Sequence, residues 1–279
     1  MTLNSEANVV NAQAQASGSS FYAAMRVMPA RKREAIFEIY SFCRAVDDIA
    51  DDGEPRRIQL EKLGKWRDDI EMIFAGAAPG GLEALAAACR DYALRREDFL
   101  TVVDGMEMDV LGPIQAPDWA TLDLYCDRVA SAVGRLCVRV FGVDEASGLD
   151  LAHHLGRALQ LTNILRDIDE DAAVDRLYLP RESLRGAGVA STNPSLAMRD
   201  AALGAACQEV VARARLHYAE AQAIMRRCPR RAVAAPLIMA AAYQTLLGRL
   251  VRRGWRQPRA RIKIGRWRLL LLLLRNVLG

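Results

Sequence analysis

Apolar residues recur three or four positions apart along most of the chain from Phe21 onward, which is the spacing of an amphipathic α-helix. The clearest segments are Arg31 to Ile49, Thr121 to Phe141 and Leu151 to Asp171. Short stretches rich in Gly and Pro separate them, and we find neither an alternating strand pattern nor an internal repeat. The pattern predicts an all-α protein whose helices share one core.

Small side chains interrupt the apolar pattern of the second segment. Ala130, Ser131, Ala132 and Gly134 occupy consecutive turns of the predicted helix. Such residues let another group approach the backbone closely. The sequence leaves two interpretations open, which are tight packing against a neighbouring helix and the wall of an apolar ligand channel.

Composition agrees with a folded, helical chain. With 279 residues, 52% of them hydrophobic and 6% aromatic, the chain can bury a substantial core. Its six cysteines form no CxxC pair, so we expect reduced, packed thiols and a cytoplasmic protein. The N-terminus lacks the features of a signal peptide, and the longest wholly apolar run, Leu269 to Leu274, is too short to span a bilayer.

Charge is distributed unevenly along the chain. The net charge is +4, yet residues 249–279 contain ten Arg or Lys and no acid. In the distal part, residues 266–279, basic residues and Trp267 flank a leucine cluster, which suits either an interfacial helix on anionic lipid or a last core helix with a basic rim. Nucleic-acid binding is not expected, because no recognisable reading module accompanies the basic residues.

Two groups of acidic residues are candidates for chemistry. Asp47 and Asp51 lie four positions apart, so they project from one face of the first predicted helix. A solvated helix end explains most isolated pairs of this kind. The second group is more informative, because one polar line on a largely apolar helix is formed by Gln160, Asn163, Asp167 and Asp171. Oxygen ligands converging from two helices would suit Mg²⁺ and the phosphates that it binds.

A cation accompanies each acidic group. Arg44 lies one turn before Asp47, and Arg166 directly precedes Asp167. Either arginine alone would be explained by an ion pair within its helix, but the repeated arrangement favours anion binding. The chain contains no glycine-rich phosphate loop. His153 and His154 match no metal motif, and we expect a surface or packed pair.

These segments, in this order, resemble the squalene and phytoene synthase family. The resemblance covers approximately residues 17–265, while residues 1–16 and 266–279 fall outside it. It rests on Ser20-Phe21, YSFCRAVDDIAD at 40–51, YCDRVASAVG at 125–134, LQLTNILRDIDED at 159–171 and RLYLP at 176–180. The resemblance implies an isoprenoid synthase fold, in which helices surround a central active-site cavity with both aspartate motifs at its mouth.

The resemblance also implies roles for individual residues. Metal ligands for Mg²⁺, or for Mn²⁺ in its place, would be Asp47, Asp51, Asn163, Asp167 and Asp171. Diphosphate and prenyl contacts would come from Ser19, Ser20, Tyr40, Arg44, Gln160, Asn163, Arg166, Tyr178, Tyr243 and Arg261. Tyr125 is expected to influence the carbocation or its proton transfer.

Within the family, the segments 25–51 and 129–142 most resemble bacterial presqualene diphosphate synthases of hopanoid biosynthesis. Such enzymes join two farnesyl diphosphates and release one diphosphate, and we expect no requirement for NADPH. The alternatives are a phytoene synthase that uses geranylgeranyl diphosphate and a squalene synthase that uses NADPH. A noncatalytic assembly or binding protein on the same fold is the alternative from another class, although here all four aspartates are present.

Overall fold

The computed structural model describes Met25, residues 28–260 and Ile262. The described chain is all-α, as predicted, and the only β-type pairing within it is an isolated bridge between Gln115 and Leu177. Its helices are α1 (Ala30–Asp51), α2 (Arg56–Phe74), α3 (Glu83–Asp91), α4 (Arg96–Leu111), α5 (Trp119–Cys126), a π-helical turn (Asp127–Ser131), α6 (Ala132–Phe141), α7 (Glu145–Arg166), α8 (Ile168–Ala173), α9 (Arg181–Ala187), α10 (Pro194–Ala197), α11 (Leu203–Arg227) and α12 (Arg230–Arg253).

Helix α7 lies at the centre of the molecule. It contacts α5, the π-helical turn, α6, α11 and α12, and its contact with α11 is the most extensive in the fold. Apolar residues face several sides of α7, among them Leu151, Leu155, Leu161 and Leu165, which are all buried. A helix that is apolar on most sides belongs in a core rather than at a surface. The polar residues near its C-terminal end are therefore held on a rigid, surrounded element.

The second predicted helix is divided by a π-helical turn. Residues 119–141 run as α5, the turn Asp127–Ser131 and α6, whereas the sequence predicted one regular helix from Thr121 to Phe141. Single π-helical turns occur frequently at functional sites, because they change the direction in which neighbouring side chains point. The apolar spacing alone does not predict the extra residue of the turn.

The third predicted helix is shorter than expected. We predicted one helix from Leu151 to Asp171, but α7 ends at Arg166 and α8 begins at Ile168. Asp167 lies between them with φ of −99° and ψ of 15°. The run of acids that follows favours this break, since acidic residues are unfavourable at the negative C-terminal end of a helix dipole and favourable in a first turn. The break places Asp169, Glu170 and Asp171 in the first turn of α8.

Helix α12 is the one described helix that is long and apolar enough to cross a membrane by length and composition. Half of its most apolar window is buried within the protein, where it contacts α6, α7 and α11. A core helix passes the same test, so this is weak evidence for a span. The basic tail at 266–279 lies outside the described residues, and its contact with lipid stays a prediction.

Candidate active site

The first aspartate motif occupies the C-terminal end of α1. Arg44 donates to Asp47 across 2.7 Å and also forms an ion pair with Asp48. Burial raises the pKa of Asp47 to about 6, and neighbouring acids, first among them Asp51, act in the same direction against Arg44. The Asp47 side chain keeps 43% of its surface exposed, so solvent screens part of this effect. The motif is a cluster of like charges that one arginine only partly compensates.

The second motif spans the break between α7 and α8. Arg166 donates from Nε to Asp167 across 2.7 Å, and this pairing raises the pKa of Arg166 although burial opposes it. Burial raises the pKa of Asp171 to about 7, and Asp167 adds to the shift by repulsion. The sequence placed Gln160, Asn163, Asp167 and Asp171 on one regular helix, and the structure brings them to the same end of α7 through the bend instead.

Arg176 connects the two motifs. Its backbone N–H donates to the carbonyl of Asp171 across 2.9 Å, and its guanidinium donates to the carboxylate of Asp51 across 2.9 Å. Asp51 and Asp171 are 120 positions apart in sequence, yet this one residue touches both. Arg176 therefore holds the end of α1 beside α8, as expected for aspartates that face each other.

Asp109 on α4 is a further acidic group between the motifs. It raises the pKa of both Asp47 and Asp171, which places it close to each of them. Burial in turn raises the pKa of Asp109. Sequence reasoning missed Asp109, because no second polar residue lies three or four positions from it on α4. It also assigned no role to Arg176, although that residue begins the RLYLP segment.

Two tyrosines donate to Asp109. The hydroxyl of Tyr178 lies 2.7 Å from Oδ1 and that of Tyr125 lies 3.0 Å from Oδ2. The two hydroxyl oxygens are 3.3 Å apart, and the rings stack with centroids separated by 4.9 Å. Because both phenols can give their protons to the carboxylate, their remaining lone pairs are free to face another group. The sequence proposed Tyr125 and Tyr178 separately, and the structure joins them in one network.

The other predicted tyrosines lie on helices that border the same region. Tyr40 is on α1 one turn before Arg44, and burial raises its pKa. Tyr243 is on α12 and interacts with the guanidinium of Arg166. Gln160 accepts a hydrogen bond from the amide of Asn163 across 3.4 Å. The described candidates therefore gather from α1, α5, α7, α8, α12 and the segment after α8.

The donor set suits a hard divalent cation. Asn163 Oδ1 is buried and has no hydrogen-bond partner, and a buried carbonyl oxygen without a partner is costly unless something binds it. Carboxylates of Asp47 and Asp171 carry raised pKa values because their surroundings disfavour the charge. A cation would relieve both conditions, and oxygen ligands are the ones that Mg²⁺ prefers.

An apolar cavity of about 90 Å³ lies along the same helices. Its wall includes Leu155 and Leu159 of α7, and Leu159 is one turn before Asn163. From α12 it includes Met239, one turn before Tyr243. Phe141, at the end of α6, also lines the cavity. The polar residues and the apolar wall therefore follow each other along shared helices.

Both interpretations of the small residues apply. Ala130 and Gly134 line the cavity. At Gly134 an added Cβ would lie 3.1 Å from the Cα of Ala152, so this residue also lets α6 approach α7. The approach is closest at Gly156, where a Cβ would lie 2.7 Å from the backbone of Ser131. Small side chains thus serve helix packing and cavity shape together.

Three predicted residues, Ser19, Ser20 and Arg261, lie outside the described residues, and their roles stay predictions. Close to the last of them, Arg259 forms a partly buried ion pair with Asp169 on α8, with Nε 2.7 Å from the carboxylate. Arg259 also donates to the carbonyls of Trp255 and Met198. The segment after α12 therefore contacts α8, the helix that carries Asp171.

Comparison with known proteins finds relatives that match most of the chain. A model of the squalene/phytoene synthase family matches residues 14–268. A presqualene diphosphate synthase of Rhodopseudomonas palustris is 53% identical over 98% of each chain, and one of Sinorhizobium fredii is 56% identical over 91% of each chain. A solved dehydrosqualene synthase in complex with a ligand is similar with a TM-score of 0.84 at 24% identity, covering 99% of this chain and 97% of that chain. The likeness to the solved structure supports the isoprenoid synthase fold.

Proposed function

Because this chain belongs to the squalene/phytoene synthase family, we propose that it joins two molecules of farnesyl diphosphate head to head and forms presqualene diphosphate. In this reaction the C–O bond of one allylic diphosphate breaks and inorganic diphosphate leaves. The π electrons of one C=C bond of the second molecule form one new C–C bond. The electrons of a C–H bond, which loses its proton, form a second C–C bond and close a cyclopropane ring. The product requires no reductant.

The observation that carries the proposal is the meeting of the two aspartate motifs. Arg176 touches both motifs, and Asn163 Oδ1 lies buried without a partner beside them. We propose that Mg²⁺ is held by Asp47, Asp51, Asn163, Asp167 and Asp171. When bound, it would neutralise the negative charge of the substrate and departing diphosphates.

Arginines beside the motifs would bind and orient the diphosphates. Arg44 and Arg166 each donate hydrogen bonds to a neighbouring aspartate. A guanidinium has five N–H donors, so each retains donors for phosphate oxygens. Tyr243 contacts Arg166 and would hold its orientation. These donors would stabilise the charge that develops as the C–O bond breaks.

The apolar cavity would protect the carbocation. Its wall is built from aliphatic side chains, small residues and Phe141, and it offers water few hydrogen-bonding groups. Exclusion of water prevents premature quenching of a reactive intermediate. The cavity residues Leu159 on α7 and Met239 on α12 lie one turn before the polar residues Asn163 and Tyr243. A diphosphate bound at the motifs would therefore direct its prenyl chain into the cavity.

Tyr125, Tyr178 and Asp109 would accept the proton that is lost on ring closure. Tyr125 and Tyr178 donate to Asp109, so their phenol oxygens present lone pairs that can stabilise positive charge. The raised pKa of Asp109 makes this carboxylate a better proton acceptor than an ordinary aspartate. We propose that the proton lost on ring closure passes through this network.

Incubation with farnesyl diphosphate and Mg²⁺, with and without NADPH, tests the function. We expect presqualene diphosphate and inorganic diphosphate in equal amounts under both conditions. Parallel incubation with geranylgeranyl diphosphate measures chain-length preference. Formation of phytoene from the longer substrate, without presqualene diphosphate from the shorter one, would overturn the proposed substrate. Absence of diphosphate release with any prenyl substrate would instead favour a noncatalytic role.

A further inference from the structure

All three histidines of the chain meet at one place. His153 and His154 lie on α7, and His217 lies on α11. One ring nitrogen from each lies within 4.8 Å of the other two. The sequence predicted a surface or packed pair at His153 and His154, and it did not predict that His217, 63 positions after His154, would join them.

The spacing of the rings suits a shared metal ion. Nδ1 of His154 and Nδ1 of His217 are 3.1 Å apart, close to the roughly 3.3 Å between neighbouring ligands of a tetrahedral ion bound at about 2.0–2.1 Å. The three ring centroids are separated by 4.8, 5.2 and 5.9 Å. Three imidazoles around one such ion would have centroids about 5 Å apart. His153 is exposed, so rotation of its side chain can bring its ring nitrogen closer to those of His154 and His217.

The surroundings of His217 favour a neutral ring. Burial lowers the pKa of His217 to about 4, so at neutral pH its nitrogen lone pair is available. Arg157 is a cation that acts on His153 and His217. Its guanidinium donates two hydrogen bonds, of 2.7 and 2.9 Å, to the carboxylate of Asp123. Asp127 accepts a further bond from Arg157 across 3.1 Å. The positive charge beside the histidines is therefore compensated.

We propose that His153, His154 and His217 form a site for a borderline divalent transition metal such as Zn²⁺, Ni²⁺ or Cu²⁺. Imidazole nitrogens suit these ions, whereas Mg²⁺ prefers the oxygen ligands of the aspartate motifs. Three protein nitrogens leave at least one position for water. The ion cross-links α7 to α11, the two helices with the most extensive contact in the described fold. His154 is nine residues from Asn163, so the site lies about 13 Å along α7 from the proposed magnesium ligands.

Metal binding to untagged protein tests the site without reference to turnover. Zn²⁺ is titrated calorimetrically in excess Mg²⁺, and Cu²⁺ is examined by electron paramagnetic resonance. We expect one Zn²⁺ per chain, nitrogen couplings from imidazole in the Cu²⁺ spectrum, and a Zn²⁺-dependent rise in Tm. Since the chain has three histidines and all lie in this cluster, an imidazole signal can come from nowhere else.

His217→Gln removes a ligand and should weaken Zn²⁺ binding by at least about tenfold, since even supporting residues of a metal site contribute that much. His153→Gln, at an exposed position, should weaken binding without disturbing the packing of α7 against α11. Asp47→Asn is the matched control, because it alters the aspartate motif and should leave Zn²⁺ binding unchanged. Failure of the wild type to bind Zn²⁺, unchanged affinity in His153→Gln, or a Cu²⁺ spectrum without nitrogen couplings would overturn the proposal.

Discussion

Asp171→Asn should stabilise the protein in the absence of metal while it removes the response to Mg²⁺. Burial and the charge of Asp167 raise the pKa of Asp171 from 3.8 to about 7. Each pKa unit corresponds to about 1.4 kcal/mol, which sets an upper bound of about 4 kcal/mol on the cost of the charge. The side chain is partly exposed, so we expect solvent screening to reduce this cost to about 2 kcal/mol.

The sign of the pH dependence follows from proton linkage. The folded protein holds the Asp171 proton more tightly than the unfolded chain does, so wild-type stability falls as the pH rises from about 4 to about 7 and is level above that. Asparagine does not titrate. Relative to wild type, the variant should therefore gain about 2 kcal/mol at about pH 8 and less than about 1 kcal/mol at about pH 4.

Urea unfolding in EDTA at both pH values measures these gains, and repetition with Mg²⁺ measures the metal response. Wild type should be stabilised by Mg²⁺, because a ligand that binds the folded state raises its stability. The variant should respond weakly and show greatly reduced turnover. Asp175→Asn is the matched control, since Asp175 is exposed and asparagine tolerates its φ of 62°. If Asp171→Asn lowers stability at the higher pH, or if its gain is equal at both pH values, the carboxylate is not under electrostatic strain.

Three further substitutions examine other parts of the site. Gly156→Ala should lower the free energy of unfolding by about 1–3 kcal/mol, since the new Cβ meets the backbone of Ser131. Gly204→Ala is the control, because the space around Gly204 is open, and it should leave the urea midpoint nearly unchanged. Phe141→Ala should enlarge the cavity and raise turnover of geranylgeranyl relative to farnesyl diphosphate. An unchanged ratio in product analysis would show that Phe141 does not limit chain length. Asp109→Asn should reduce kcat about a hundredfold or more with little change in KM, and a normal kcat would reduce the tyrosine network to a structural role.

Much of the fold was predictable from local pattern. The amphipathic segment from Arg31 to Ile49 predicted α1 within two residues at each end, because one apolar face must be buried over several turns. The pattern around Asp47 and Asp51 also placed both side chains on one face. Interruptions within helices were not predictable in this way, since Asp167 and the turn Asp127–Ser131 depend on charge and packing rather than apolar spacing.

The amino-acid sequence by itself determined the helical architecture, the two acidic motifs with their arginines, and the resemblance that indicated the reaction class. Only the tertiary structure decided what stands beside those motifs. Arg176 spans them, and Asp109 joins Tyr125 to Tyr178. Likewise His217 reaches His154 from another helix. Helical periodicity tells which residues share a face of one helix, but contact between residues far apart in sequence depends on how the helices pack, which no local spacing records.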